Sequence, residues 1–217
     1  MAFEAKNILV GAAPLFLSNL DSTSSAYTAV IPEGSNVTTY DTTPASLYDE
    51  TTKELKGTLG SAYSNVGYTN NGLQITYNPT YGSVTVDQLL DTAKLFKEAM
   101  EVMVATELSE ATLSNIVKVF GQESGSLASD KLSIAAGALG SEPTERQLIA
   151  IGLAPRNSSN KKRERVYYAR RVLSVQQSQF SLARNTATTF PVTFRLLPDS
   201  AYAGAEYGKI IDRVIEA

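Results

Sequence analysis

"GYTNNGLQITYNPTYGSVTVDQLLD", residues 67–91, decides the fold class. Asn71-Gly72 predicts a tight turn, because both residues tolerate positive φ. Leu73, Ile75 and Tyr77 then alternate with Gln74, Thr76 and Asn78. Beyond "NPTYG", Val84 and Val86 alternate with Ser83, Thr85 and Asp87. A period of two marks strands with one apolar face. The stretch reads as strand, connection, strand, and it holds no residue suited to catalysis.

Downstream, "TAKLFKEAMEVMVATEL" (92–108) is open between two readings. As a strand it puts Phe96, Met100, Val102 and Val104 on one face, and Lys97, Glu101 and Glu107 on the other. Its Ala, Lys, Glu and Met content favours helix. "SEATLSNIVKVFG" (109–121) predicts a helix capped by Ser109. Leu113, Ile116, Val117 and Phe120 follow the helical stripe, and Gly121 stands where a left-handed cap belongs.

Upstream, residues 8–17 read as a first strand, with Pro14 marking an edge or bulge. Residues 18–62 turn polar, and only "AYTAVI" among them is strand-like. A long polar loop over about 40–62 is expected to serve outside the core, with Tyr40, Leu47, Tyr48 and Leu55 as its apolar anchors. After the helix the chain reads as β again. "KLSIAAG" and "RQLIAIGLA" are short apolar runs, the second buried on both faces. "ERVYYARRVLSVQQSQFSLA" has room for one strand or two. "TTFPVTFRLLP" sets Phe190, Val192, Phe194 and Leu196 against Thr189, Pro191, Thr193 and Arg195. The tail stays apolar, so Ile210, Ile211, Val214 and Ile215 need cover.

The 217 residues include no Cys, no His and no Trp. Thiol chemistry, disulfides, zinc fingers and a Ser-His-Asp triad are excluded. Hydrophobic residues make up 43% and charged residues 19%, enough for one domain with its own core. The net charge of −3 gives no general affinity for nucleic acid. No apolar run approaches a membrane helix. "ILVGAAPLFL" imitates the core of a signal peptide, but Glu4 precedes it and no cleavage site follows.

Few residues invite chemistry. Asp87 and Asp91, with Glu98 and Glu101 nearby, offer carboxylates for acid–base work or a hard metal, or simply surface charge. "NKKRER" (160–165) offers phosphate contact, inter-subunit ion pairing or a solvated hairpin tip. Tyr167 and Tyr168 of "VYYARR" fall on opposite faces of a strand, so only one of them can stack on a base. Asn36 and Asn157 begin glycosylation sequons. No catalytic residue, metal site or cofactor is expected. A β-protein with one helix, patterned strand faces and extended arms suits self-association.

Three segments in order carry a resemblance: "VGYTNNGLQITYNPTYGSVTVDQLLD" (66–91), "MVATELSEATLSNIVKVFG" (103–121) and "YYARRVLSVQQSQFSLARNTATTFPVTFRLLPDSAY" (167–202). The chain resembles the phage major tail protein, or tail tube protein, family, which is itself similar to the type VI secretion tube protein. The resemblance implies a single tail-tube domain over 1–217, mainly β, a β-sandwich or partly closed barrel with one flanking helix. It makes 92–107 a strand. It implies sixfold rings that stack into a hollow tube conducting the genome, hence a virion location after synthesis in the host cytoplasm. The implied partners are further copies, tail terminator, baseplate or tip proteins, tape measure protein, a sheath in contractile tails, and DNA passing without specific binding. No membrane is implied. On this reading Tyr40, Leu47, Tyr48 and Leu55 contact the next ring. Gln74, Thr76, Ser83 and Thr85 line the lumen, where they leave phosphates unneutralised. Ile210, Ile211, Val214 and Ile215 pack a terminal arm, matched by another at the N-terminus. Two other classes remain: an extracellular adhesin or pilus-like subunit, and a carboxylate-based glycosidase, which needs paired carboxylates on facing strands.

Overall fold

The computed structural model describes residues 11–25, 27, 45–88, 91–136, 138–175, 179–180, 184–185 and 187–216. The elements are β1 (Leu15–Ser18), α1 (Thr58–Ala62), β2 (Tyr63–Asn65), β3 (Thr69–Thr85), β4 (Thr92–Leu108), α2 (Leu113–Val119), β5 (Leu127–Ala128), β6 (Lys131–Leu132), β7 (Arg146–Ala154), β8 (Arg163–Ser174), β9 (Phe190–Leu196) and β10 (Gly208–Val214). The expected mainly β fold with a flanking helix is what forms.

One antiparallel sheet runs β2-β1-β7-β8-β9-β4-β3. Its two end strands, β2 and β3, are separated in the chain only by residues 66–68. A sheet whose ends are that close in sequence has to curl round on itself. Val66 N donates to the Leu15 carbonyl and Ser109 N to the Tyr68 carbonyl, so this link seams β1 to β4. The result is a partly closed barrel, and β10 adds to the first half of β8, on the edge that β9 uses further along.

The inward faces follow the sequence alternation. Phe190, Val192, Phe194 and Leu196 of β9 pack with Leu15 and Leu17 of β1, Leu148 and Ala150 of β7, and Val102, Val104 and Leu108 of β4. Burying such side chains contributes about 1.5–3 kcal/mol each. The strand alternative for 92–108 is therefore the correct one, and it wins through burial of its second half. In α2 the cap is Thr112 rather than Ser109. Thr112 Oγ1 accepts from Asn115 N, while Ser109 still belongs to the β4 seam. Gly121 takes φ 63° directly after the helix, as its position predicts.

A second core lies outside the barrel. β7 is buried on both faces, as expected, so Ile149 and Ile151 need cover on the side away from the barrel interior. Residues 45–63 supply it. Leu47, Leu55, Leu59 and Tyr63 pack on Phe16, Ile149, Ile151, Val166 and Tyr168. This corrects the reading of the described part of the polar loop. Leu47 and Leu55 are buried against their own sheet, which is not where a contact to a neighbouring ring would place them; Tyr48 is half-buried on the same cluster. Tyr40 and most of "AYTAVI" lie outside the described residues. Among the described residues of "KLSIAAG", Lys131–Leu132 is the strand.

Candidate functional site

The stretch that decides the fold forms an arm. β3 and β4 pair along their length as a hairpin of two 17-residue strands. Asn71 and Gly72 do take positive φ, but they make a bulge within β3 rather than a turn before it. "NPTYG" is no connection either, since pairing runs through it to Thr85. Pro79 is tolerated because β3 has a neighbour on one side only, so the missing N–H falls on the open edge.

Only the base of the arm is anchored. Leu73 and Met100 pack against the barrel core, while Ile75, Tyr77, Tyr81, Val84, Val86, Leu95 and Phe96 are exposed. Tyr77 and Tyr81 keep 59% and 58% of their surface in solvent, and Leu95 keeps 64%. Of the apolar faces of 73–77 and 84–86, Leu73 alone packs against the core. Small contacts order the arm. Lys97 Nζ lies 5.7 Å from the Tyr77 ring centroid and 2.8 Å from Met100 Sδ, all on one face. On the other face Phe96 lies over Gly82, where a Cβ would sit 2.6 Å from its ring.

Gln74, Thr76, Ser83 and Thr85 are all exposed. Within one continuous strand, positions 74 and 76 face opposite to 83 and 85. The extra residues at the later register shifts belong to β4, so β3 does not reset its alternation between them. The four side chains therefore cannot line one wall together.

The carboxylates of the arm are spread along it. Asp91 accepts from Thr92 N, and Glu101 lies 3.5 Å from Arg195. Among the described residues no cluster of acidic side chains is arranged to hold a metal ion. The arginines of the basic run are paired within the chain. Arg165 makes two hydrogen bonds to Asp212, at 2.6 and 2.8 Å, and Arg163 approaches the same carboxylate at 3.1 Å. The bond from Arg165 holds the Asp212 carboxyl below its usual range despite some desolvation. Tyr167 faces the barrel core and Tyr168 the outer core, on opposite faces as expected.

The C-terminal residues lie where a terminal strand needs them. β10 hydrogen-bonds along β8, with Ile211, Val214 and Ile215 half-buried and Ile210 exposed. Gly208 begins the strand at φ +140°, so close to β8 that a Cβ would stand 1.9 Å from the Tyr168 carbonyl oxygen.

Ion pairs wholly or partly buried in the fold were not anticipated. Glu145 accepts two bonds from Arg171 at 2.6 and 2.7 Å, beside a polar cavity of about 270 Å3. Arg170 lies 3.6 Å from the Tyr202 ring at that cavity, and burial together with Glu145 pushes the Tyr27 phenol above its normal range. Asp21 approaches Arg146 at 3.8 Å with both side chains buried. The only available signal was charge inside otherwise alternating apolar strands.

Between the arm and β10 the barrel mouth is open. An apolar groove of about 220 Å3 runs there, with Ile75, Tyr77 and Met100 on the arm side and Tyr207, Gly208 and Ile210 opposite. No family model matches the chain, and no curated protein matches it.

Proposed function

We propose that the chain is a structural subunit that assembles with copies of itself. The supporting observation is the arm. Its seven exposed large apolar side chains present on the order of 600 Å2, taking about 150–250 Å2 for a full aromatic side chain. Divided between the two faces of the ribbon, that puts the larger face at the scale of the largest patch on a typical monomer, about 300–600 Å2. A two-stranded ribbon exposed on both faces is marginal alone and gains order from a partner.

The resemblance of residues 66–91, 103–121 and 167–202 to tail tube proteins gives the assembly its form: stacked rings, sixfold by that likeness, around a channel that conducts a phage genome. On this reading the chain resides in the virion tail. Its other contacts are the terminator, baseplate or tip, tape measure and sheath components. The partly closed barrel supports it, being the domain type that the resemblance implies.

Negative-stain electron microscopy of the purified chain over a range of concentrations tests the proposal. Rings or hollow tubes are expected, with the symmetry read from end-on views. A compact monomer at every concentration, together with unchanged sedimentation, counts against it.

A further inference from the structure

Two features of this chain lack an apolar counterpart among its described residues. The first is the groove at the barrel mouth. β9 runs beside β4 only from Met103 to Leu108, so the β4 edge over 92–102 has no strand on that side among the described residues. Among the described residues β10 likewise pairs with β8 alone. These two open edges border the same groove. A hydrogen bond spans it, from the Tyr207 hydroxyl to the Met100 carbonyl at 3.4 Å. The floor is apolar, with Leu148, Val102 and Leu196 of the barrel core showing through. Open strand edges over an apolar floor suit an extended peptide, whose main chain bonds the edges while its side chains fill the floor.

The second feature is the segment "SIAAGAL", residues 133–139, in which all but Gly137 are described and the Gln122 side chain holds the Ala135 main chain at both its carbonyl and its N–H. Ile134 is 72% exposed and Leu139 wholly so. The segment has no charged residue, in a chain that is 19% charged. Ala135, Ala136 and Ala138 keep it thin enough to enter a narrow groove. The arm is a poorer occupant. Pro79 interrupts its open edge, and Lys94, Lys97, Glu98 and Glu101 would carry charge into an apolar site.

We infer that segment 133–139 of one copy docks into the barrel-mouth groove of another, with Leu139 seated beside Ile210. This rests on the self-assembly proposed above and names its contact. Donor and acceptor are different parts of one chain, and the donor is not among the residues that line the groove. The contact is therefore heterologous: each copy gives a segment and receives one, so the series closes into a ring or runs on as a filament.

The chain has no cysteine, so engineered cross-links report this contact alone. Leu139→Cys and Ile210→Cys are made as separate variants and mixed under mild oxidation, at a concentration where the wild type associates. A cross-linked dimer is expected in the mixture beyond that in either variant alone, and a ladder in the double variant. Leu139→Asp is expected to keep the wild-type circular dichroism and unfolding midpoint while weakening self-association at least tenfold. Equal cross-linking with and without mixing, or wild-type assembly by Leu139→Asp, overturns the inference and leaves self-assembly standing. A wild type that stays monomeric at every concentration removes both.

Discussion

The Glu164 carboxylate meets the Arg213 guanidinium at 2.7 Å with both side chains buried. The same carboxylate accepts from Leu47 N at 3.1 Å and from Ser46 Oγ at 2.7 Å. One group thus joins β8, β10 and the start of the outer cover. Replacing Glu164 with Ala leaves the Arg213 charge buried without its anion, which costs about 3–5 kcal/mol. The double change Glu164→Leu with Arg213→Met removes both charges and is expected to cost less than Glu164→Ala alone. Urea unfolding of the three proteins checks the order. Hydrogen exchange at residues 45–47 is expected to rise in both variants, because Leu47 N loses its acceptor in each.

Lys118 gives the stability a pH dependence. Its ammonium is buried and donates to Ser64 Oγ; burial, with Arg146 nearby, brings its pKa down from 10.5 to about 8. Between those values the unfolded chain binds the proton and the folded chain does not, so stability rises with pH from about 8 towards 10.5. Below the folded value both states are protonated and the penalty is constant. Above pH 10 buried Tyr27 and Tyr63 act the other way, because burial keeps their phenols protonated in the fold. Stability is therefore expected to peak between pH 9 and 10, with a gain over neutral pH of about 2 kcal/mol. Urea midpoints at pH 7 and 9.5 measure it. Lys118→Met is expected to flatten the rise, and a rise that survives in that variant would assign it elsewhere.

Leu59 separates two meanings of the polar loop. It is fully buried in the outer core, so Leu59→Ala is expected to lower global stability by about 2–5 kcal/mol, as at other packed sites. A loop that served only to bridge rings would show almost no loss in the monomer. By the same reasoning, deleting 45–58 uncovers Ile149, Ile151 and Val166 and is expected to yield an aggregating or poorly folded chain, rather than a sound protomer that fails to stack. Thermal unfolding and light scattering distinguish these outcomes.

The strands of the barrel were legible because period and burial coincide in them: β9 alternates by residue, and β7 is apolar from Leu148 onward. The double burial of β7 even demanded a second layer. What supplied it was not legible, since Leu47, Leu55 and Leu59 are isolated apolar residues in a polar stretch and become a core only against Phe16 and Ile149. The arm was misread for a local reason. Pro and Gly in "NPTYG" favour a turn, yet an open edge makes Pro79 harmless, and Gly82 has a use under Phe96. Dividing one strand into two also allowed residues of opposite parity to be grouped as one lumen wall. The groove escaped notice because it depends on where β9 stops along β4, which no pattern in either strand announces.

The arm sets the last test, because its surface separates stability from assembly. Tyr77 and Tyr81 are exposed on the same face, with Lys97 laid over Tyr77. Changing both to Ser removes apolar surface that the isolated chain scarcely buries, so the unfolding free energy is expected to move by about 0.5 kcal/mol or less. If that face meets a neighbouring copy, the same change exposes a weakened interface and shifts assembly to a concentration at least tenfold higher, since truncating interface aromatics commonly costs 1 kcal/mol or more each. Leu108→Ala on β4 is the contrasting variant. Its side chain is buried in the barrel core, so it is expected to destabilise the monomer while leaving the assembly surface as it is. Sedimentation velocity beside urea unfolding reads both quantities. Tyr77→Ser with Tyr81→Ser that assembles like the wild type would show that the arm face is not the contact, and its exposure would then need another cause.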